Sequence, residues 1–429
     1  MLSEGDEMVS QEVKNRCTAC GNGEGFDKVA YSDDIMLCKP CILDGYEFLS
    51  AQSRQANKEE QDRTHKDAME MVMEDVSELR KPRELVALLD EYVIGQHDAK
   101  QMLSVAIYQH QKRIILNKHG FGSQAKKSNL LLIGPTGTGK TLLAETIAAL
   151  TDLPIHIQDA TPLTEAGYIG DSVEDMLAEL IQKCDGDIGL AESKGIIFID
   201  EIDKLRKRGD SANLNRDPSG DGVQSALLKL CEGADVRVPV SGGRKQQAAK
   251  TQTINTSNIL FIASGAFEGI DEILDKESGT KKRIGFVADE TPETRVKENA
   301  GMKHVNAKHI VQYGMKPEFV GRFSTIVHLE PLTMDVMKQI ITDSKRSMFA
   351  GHRLLALADN IDLSITDEAV EAVAHHAFEQ KVGARGLDGT MNKVLKEFSF
   401  DSPSENIDSF VITESVVKHA LSDSDSPEL

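Results

Sequence analysis

Leu130-Leu131-Leu132-Ile133-Gly134-Pro135-Thr136-Gly137-Thr138-Gly139-Lys140-Thr141 is the stretch on which the fold turns. Its four leading apolar residues make a short buried strand. The pattern Gly-x-x-x-x-Gly-Lys-Thr follows, and the chain from Leu142 to Leu150 continues as a helix. Strand, glycine-rich loop and helix in that order are the context in which this motif holds a nucleoside triphosphate. Backbone N–H groups of the loop curl around phosphate oxygens, and the helix N-terminus adds a favourable dipole. Gly134, Pro135, Thr136, Gly137, Thr138, Gly139, Lys140, Thr141 and Leu142 are therefore the expected nucleotide contacts. Lys140 is suited to the β and γ phosphates, and the Thr141 hydroxyl to Mg²⁺.

The second half of such a site lies 60 residues beyond Lys140, at Gly195-Ile196-Ile197-Phe198-Ile199-Asp200-Glu201. A buried strand ends in two adjacent carboxylates. Asp200 is expected to hold Mg²⁺ through water, and Glu201 to polarise the attacking water as a general base. Strand-end acids can be helix caps, but a pair at this distance from the loop is hard to explain that way. The two motifs together imply hydrolysis of ATP.

Outward from this centre, residues 81–330 alternate strand-like runs with helical patterns, which predicts a parallel α/β sheet. Residues 331–429 read mostly as helix, with a late strand at Ser409-Phe410-Val411-Ile412. Residues 51–80 form a polar linker. Its second half carries Met69, Val72, Met73, Val76 and Leu79 at helical spacing. That stripe fits either a helix packed on the next domain or a docking helix for a partner. A chain of 429 residues is long enough for two or three domains.

The formal net charge of −20 argues against general binding to nucleic-acid backbones, which needs a basic face. No uncharged apolar run is long enough to span a membrane. The acidic start Met1-Leu2-Ser3-Glu4-Gly5-Asp6-Glu7 does not read as a targeting signal, so a cytoplasmic location is expected.

Four of the six cysteines fall in the first 41 residues, as Cys17-Thr18-Ala19-Cys20 and Cys38-Lys39-Pro40-Cys41. Seventeen residues separate the pairs. Two C-x-x-C pairs at this spacing suit a closed tetrahedral Zn²⁺ site of structural type. A redox pair would ordinarily lie beside a βαβ pattern, and none surrounds these. The nearby Asp27, Asp33, Asp34, Asp44 and Glu47 disfavour nucleic acid as the module's ligand. Ile35, Met36, Leu37, Ile42, Leu43, Tyr46, Phe48 and Leu49 offer more apolar surface than residues 1–50 can bury alone, which favours dimerisation or adaptor binding. Cys184 and Cys231 read as small buried hydrophobes.

With these motifs in view, the chain resembles the ClpX family of AAA+ unfoldases along nearly its whole length. The resemblance implies an AAA+ α/β core at 81–330 and a helical lid at 331–429, after a zinc module and a linker. It implies a homohexamer that unfolds tagged or unfolded proteins and passes them to a ClpP-type peptidase. Residue by residue, Val93 and Ile94 in Leu88–Gln96 are similar to the family's adenine-cradling segment. Tyr168 and Ile169 in Gly167-Tyr168-Ile169-Gly170 resemble the substrate-gripping pore loop. Arg216–Gln224 resembles a second pore loop. Arg244 and Lys245 resemble the pore-entrance loop, where Gln246 departs from the family's usual histidine. Arg322 in Pro317–Phe323 resembles the finger that enters a neighbouring subunit's site. Arg385 in Gly383-Ala384-Arg385-Gly386-Leu387 resembles the second sensor. Ser264 is a candidate first sensor. Ile284-Gly285-Phe286 matches the tripeptide that docks on the peptidase. A chaperone acting without a peptidase and a nucleic-acid-dependent ATPase are the competing classes. The intact docking tripeptide speaks against the first, and the acidic balance against the second.

Overall fold

The computed structural model describes residues 16–22, 28–32, 35–122, 125, 127–164, 170–206, 220–239, 251–278, 301–343, 345, 347–380, 383–404 and 407–422. The chain divides into two compact units, Met1–Ser77 and Glu78–Leu429.

In the first unit, β1 (Lys28–Ser32) and β2 (Ile35–Cys38) form an antiparallel hairpin. The Cys17 loop is tied to it by Thr18 N–H donating to the Met36 carbonyl at 2.7 Å. Helix α1 then runs without a break from Lys39 to Ser77. The polar stretch 52–66 lies inside it. Lacking Gly and Pro and rich in Gln, Glu, Lys and Arg, that stretch has the intrinsic propensity to stay helical.

In the second unit, α2 (Pro82–Asp90) and α3 (His97–Lys118) precede β3 (Asn129–Ile133). Next come α4 (Lys140–Leu150), β4 (Ile155–Asp159), α5 (Val173–Lys183), α6 (Ile188–Lys194) and β5 (Ile196–Asp200). Helix α7 (Asp221–Glu232) leads to a hairpin of β6 (Asp235–Pro239) and β7 (Thr251–Asn255). The core closes with β8 (Leu260–Gly265), α8 (Ile270–Ser278), α9 (Ala307–Tyr313), α10 (Pro317–Val320) and β9 (Phe323–His328).

Strands β4, β5, β8, β3 and β9, in that spatial order, make one parallel sheet. Alternate side chains feed two cores, one on each face. Leu130, Leu132, Ile196 and Phe198 pack with α2, α3 and α4, while Leu131, Ile133, Ile197 and Ile199 pack with α5, α7 and α9. Both faces being covered explains why these strands are continuously apolar. Because β8 lies between β3 and β5, the loops leaving all three strands meet at one edge of the sheet. A crevice at the carboxyl ends of such strands is where α/β sheets bind ligands.

The remaining helices are α11 (Met334–Thr342), α12 (Met348–Ala358), α13 (Asp367–Glu379), α14 (Ala384–Val394), α15 (Lys396–Asp401) and α16 (Glu414–Ser422). They enclose a separate apolar core around Val373, Leu387 and Ile412. The strand read at Ser409–Ile412 forms β11 and pairs in parallel with β10 (Asp362–Ile365).

Candidate functional site

Helix α4 begins because Gly139 turns the chain at φ +95°, a left-handed conformation that glycine adopts without strain. The loop before it wraps Lys140, whose Nζ donates to the Gly134 and Pro135 carbonyls at 2.7 and 2.9 Å. Burial lowers the Lys140 pKa, opposed by the charges of Asp200 and Asp203. The Thr138 hydroxyl donates to the Pro135 carbonyl at 2.8 Å and holds the loop from within.

Above this loop lies a cavity of about 470 Å³. Thr136, Gly137, Gly139, Lys140, Thr141 and Leu142 line it from the loop and helix, Asp200 and Glu201 from the end of β5, and Arg385 from α14. The residues predicted for phosphate, metal and water therefore converge from separate parts of the chain. Gly134, Pro135 and Thr138 shape the loop without lining the cavity.

Asp200 is the hub. Its carboxylate accepts from the Thr141 hydroxyl, from the Ser264 hydroxyl and, at 2.9 Å, from the Glu201 N–H. Thr141 and Asp200 thus present oxygens side by side, the donor set a hard divalent cation takes. Ser264 is fully buried on β8, the strand between the other two. Glu201 sits at φ +54°, a left-handed conformation uncommon for a residue with a side chain. The Thr161 hydroxyl donates to its carboxylate at 3.2 Å.

Two further residues complete the arrangement, and the sequence reading missed the part each plays. Asp203 is 2% exposed, lines the cavity, and accepts from the Ala266 and Phe267 N–H groups at 3.2 and 3.3 Å. It fixes the exit of β8, where Phe267 has φ +51°. A third acid, three residues beyond Asp200 in the 3₁₀ turn Ile202–Leu205, was the available signal. Gln96 is buried and joins three distant segments. Its side-chain amide donates to the Glu330 carbonyl at 2.7 Å and to the Thr138 carbonyl at 3.4 Å, and its carbonyl accepts from Glu330 N–H at 2.8 Å. It ties the phosphate loop to the segment leading from the sheet into the helical region. Of its neighbours, Val93 is buried in the core and Ile94 is half-buried; neither lines the cavity.

Arg385 reaches the cavity through a close approach at Gly383. The Ala384 N–H donates to the Gly137 carbonyl at 3.1 Å. Gly383 has φ +62°, and a Cβ there would stand 2.9 Å from both the Thr136 and Gly137 carbonyl oxygens. Arg322 lies elsewhere, between α10 and β9. It pairs with Glu232 at the end of α7 and does not line this chain's own cavity. Tyr168, Ile169, Arg244, Lys245, Ile284, Gly285 and Phe286 lie outside the described residues.

In the first unit, the sulfurs of Cys17, Cys20, Cys38 and Cys41 all lie within 4.8 Å of one another. Cys20 and Cys38 Sγ are 3.7 Å apart. Four thiolates around zinc, each at about 2.3 Å, would be spaced about 3.8 Å along each edge of the tetrahedron, so the donor set fits that metal. Backbone N–H groups at Cys20 and Cys38 lower the Cys17 pKa to about 6, favouring its thiolate, whereas hydrogen bonding to the other sulfurs raises that of Cys41. Cys184 and Cys231 are both buried, and burial pushes the Cys231 thiol up to about 12. Among the described residues no helix is long and apolar enough to cross a membrane.

The chain matches known families in both halves of the second unit. Residues 125–326 match the AAA domain (Cdc48 subfamily), and residues 332–406 match the C-terminal, D2-small domain of ClpB protein. The ATP-dependent Clp protease ATP-binding subunit ClpX 2 of Wolinella succinogenes is 40% identical over 409 residues, covering 94% of this chain and 96% of the relative. The ATP-binding subunits ClpX of Bacteroides fragilis and Bacteroides thetaiotaomicron are each 38% identical, covering 96% of this chain and 97% of the relatives. The two family models between them span the nucleotide cavity and most of the helical region. The chain is an AAA ATPase, not a peptidase, and belongs to the ClpX family.

Proposed function

We propose that the chain is the ATP-driven unfolding subunit of a Clp-type protease, working as a hexameric ring that threads proteins into a ClpP-type peptidase. The observation that most supports this reading is that the sheet and the helical region wall one nucleotide cavity. A change at the γ phosphate then bears on both and moves one against the other.

Lys140 neutralises charge on the β and γ phosphates, and the loop N–H groups hold their oxygens. A divalent cation, Mg²⁺ in this reading, would be held by Thr141 and Asp200 and offsets phosphate charge. Glu201 orients and deprotonates the attacking water. Its carboxylate lines the cavity and accepts a hydrogen bond from the Thr161 hydroxyl at 3.2 Å. Arg385 contacts the nucleotide of its own chain, and Val93 and Ile94 flank the base. Arg322 stands away from its own cavity, which suits action on a neighbour's nucleotide.

Work on substrate falls to Tyr168 and Ile169, which grip the polypeptide in the pore, and to Arg244 and Lys245, which attract acidic chain ends at its entrance. Ile284-Gly285-Phe286 docks on the peptidase. The same pulling acts whether or not a peptidase is docked, so chaperone activity accompanies it. Cys17, Cys20, Cys38 and Cys41 hold Zn²⁺ and so stabilise a module with little core of its own. Tyr46, Phe48 and Leu49, each more than 60% exposed, favour a protein as the module's partner, either an adaptor or a second module.

The test is degradation of a tagged, folded reporter by this protein with a ClpP-type peptidase. Loss of the reporter should require ATP and both proteins. Phe286→Ala should abolish it while leaving the ATPase rate intact. Reporter persistence together with an ATPase that unfolded protein does not stimulate would refute the reading.

A further inference from the structure

At the N-terminal ends of β3 and β8, a strand's length from the phosphate loop, lies a small cavity of about 30 Å³. His110 and Arg113 of α3 line it, with Lys127 and Ser128 before β3 and Leu260 at the start of β8. Arg113 is only 6% exposed and Lys127 is half-buried.

Every partner of these two cations is neutral. Arg113 Nη2 donates to the Asn258 carbonyl at 2.6 Å and lies 3.4 Å from His110 Nδ1. Its Nε–H is buried and has no partner. Lys127 Nζ donates to the Thr256 carbonyl at 3.1 Å and sits 4.9 Å from the centre of the Phe261 ring. Among the described residues no carboxylate pairs with either cation. The two titratable neighbours cannot supply a charge. Burial, with the Arg113 charge behind it, lowers the His110 pKa to about 3, and burial keeps the Cys231 thiol protonated. Burial also lowers the Lys127 pKa to about 8.

A buried arginine beside a half-buried lysine, with no counter-charge, is costly, because carbonyl dipoles replace only part of the lost hydration. A water would satisfy the Arg113 Nε–H and leave both charges uncompensated. We propose that this cavity is a binding site for a small monovalent anion, chloride in practice, held between Arg113 and Lys127. The size selects the class. A cavity needs about 10–15 Å³ on this measure to hold one water, so the space suits a single-atom anion and not a phosphate or sulfate. Ser128 bonds Ser324 at 2.6 Å, and Asn129 Nδ2 donates to the Arg322 carbonyl at 3.1 Å. The anion therefore braces the foot of the strand that presents Arg322.

The test compares chloride with gluconate at equal ionic strength, in the full-length protein with its nucleotide site saturated by ADP. Chloride should raise the melting temperature above that in gluconate. At about 100 times the dissociation constant it should multiply the folded-to-unfolded ratio about 100-fold. The ³⁵Cl NMR line should show saturable broadening that bromide reverses. Lys127→Gln should lose both effects and Lys127→Arg should keep them. If Lys127→Gln does not fold, the bromide competition in the unaltered protein decides alone. Equal melting in both salts with no excess linewidth, or effects retained in Lys127→Gln, would overturn the proposal. So would a chloride effect confined to dissociated subunits, which would mean that a neighbour's carboxylate fills the cavity in the assembly.

Discussion

Replacing Gly383 by alanine tests how the helical region is coupled to the nucleotide. Gly383 has φ +62° and ψ −147°, close to a region that only glycine populates freely, and holding alanine there costs about 1–3 kcal/mol. The added Cβ would also stand 2.9 Å from the Thr136 and Gly137 carbonyl oxygens, which belong to the phosphate loop and cannot retreat like the end of a flexible side chain. The simplest relief is for the start of α14 to back away. That breaks the Ala384 N–H bond to Gly137 and withdraws Arg385 from the cavity. With tenfold in rate for each 1.36 kcal/mol, kcat/KM for ATP should fall roughly five- to 150-fold. Steady-state hydrolysis and binding of a fluorescent ADP would measure it. Because the effect runs through Arg385, Gly383→Ala combined with Arg385→Ala should be little worse than Arg385→Ala alone. A kcat/KM within twofold of the unaltered protein, or full additivity in the double variant, would refute this reasoning.

Three other outcomes are expected. Glu201→Gln should retain ATP binding and lower the hydrolysis rate by several orders of magnitude; near-normal turnover would remove the carboxylate from the mechanism. Cys38→Ser or strong chelation should release zinc and unfold the hairpin around Ile35–Cys38, as read by metal content and NMR, while basal ATPase persists because residues 78–429 form their own unit. His110 remains neutral when folded down to about pH 3 yet takes up a proton below about pH 6.5 when unfolded, so its stabilising contribution is complete above pH 6.5 and is lost as pH falls. The loss amounts to about 2 kcal/mol at pH 5, and denaturant melts of His110→Gln should show a stability slope shallower by about 1.1 kcal/mol per pH unit on average between pH 6.5 and 5.

The parts of the site legible in the sequence are those in which chemistry and local structure coincide within a few residues. The run Leu130–Thr141 specifies strand, loop and helix by itself, and the acids at 200–201 follow directly from a buried strand. The cysteine pairs are legible because metal geometry fixes their spacing. Gln96 was not legible in this way. Its bonds to Glu330 span 234 residues, and a glutamine at a helix start has many solvent-facing uses. Ser264 and Asp203 were only partly legible. Ser264 is a polar residue in an apolar run, which marks it as buried and bonded but does not say to what, whereas Asp203, among Asp200, Glu201 and Lys204, is marked only by the apolar Ile202 and Leu205 of the same turn. The helix through residues 52–66 illustrates a different limit. No apolar stripe marks that stretch, so periodicity is silent, and only the lack of Gly and Pro points to helix.

The setting of Arg322 bears on how one subunit could sense another. Its side chain is 46% exposed and its partner Glu232 is 41% exposed, so the pair contributes about 0–1 kcal/mol and is released at little cost. Its backbone, by contrast, is firmly held. The Arg322 N–H donates to the Phe319 carbonyl at 3.0 Å, and the Arg322 carbonyl accepts from Asn129. Asn129 begins β3, and the phosphate loop leaves the other end of that strand. Strands β3 and β9 are paired along their length, from Asn129 opposite Phe323 to Ile133 opposite His328. The arginine is thus a weakly tethered side chain on a firmly held base, and that base is one strand away from the chain's own phosphate loop. A weak local pair keeps the guanidinium occupied in the isolated chain. A γ phosphate in a neighbouring site would offer a stronger, charge-assisted partner. In the proposed ring, a shift of the phosphate loop in one subunit would therefore move the base of the arginine that serves the next, with no element between them but two paired strands.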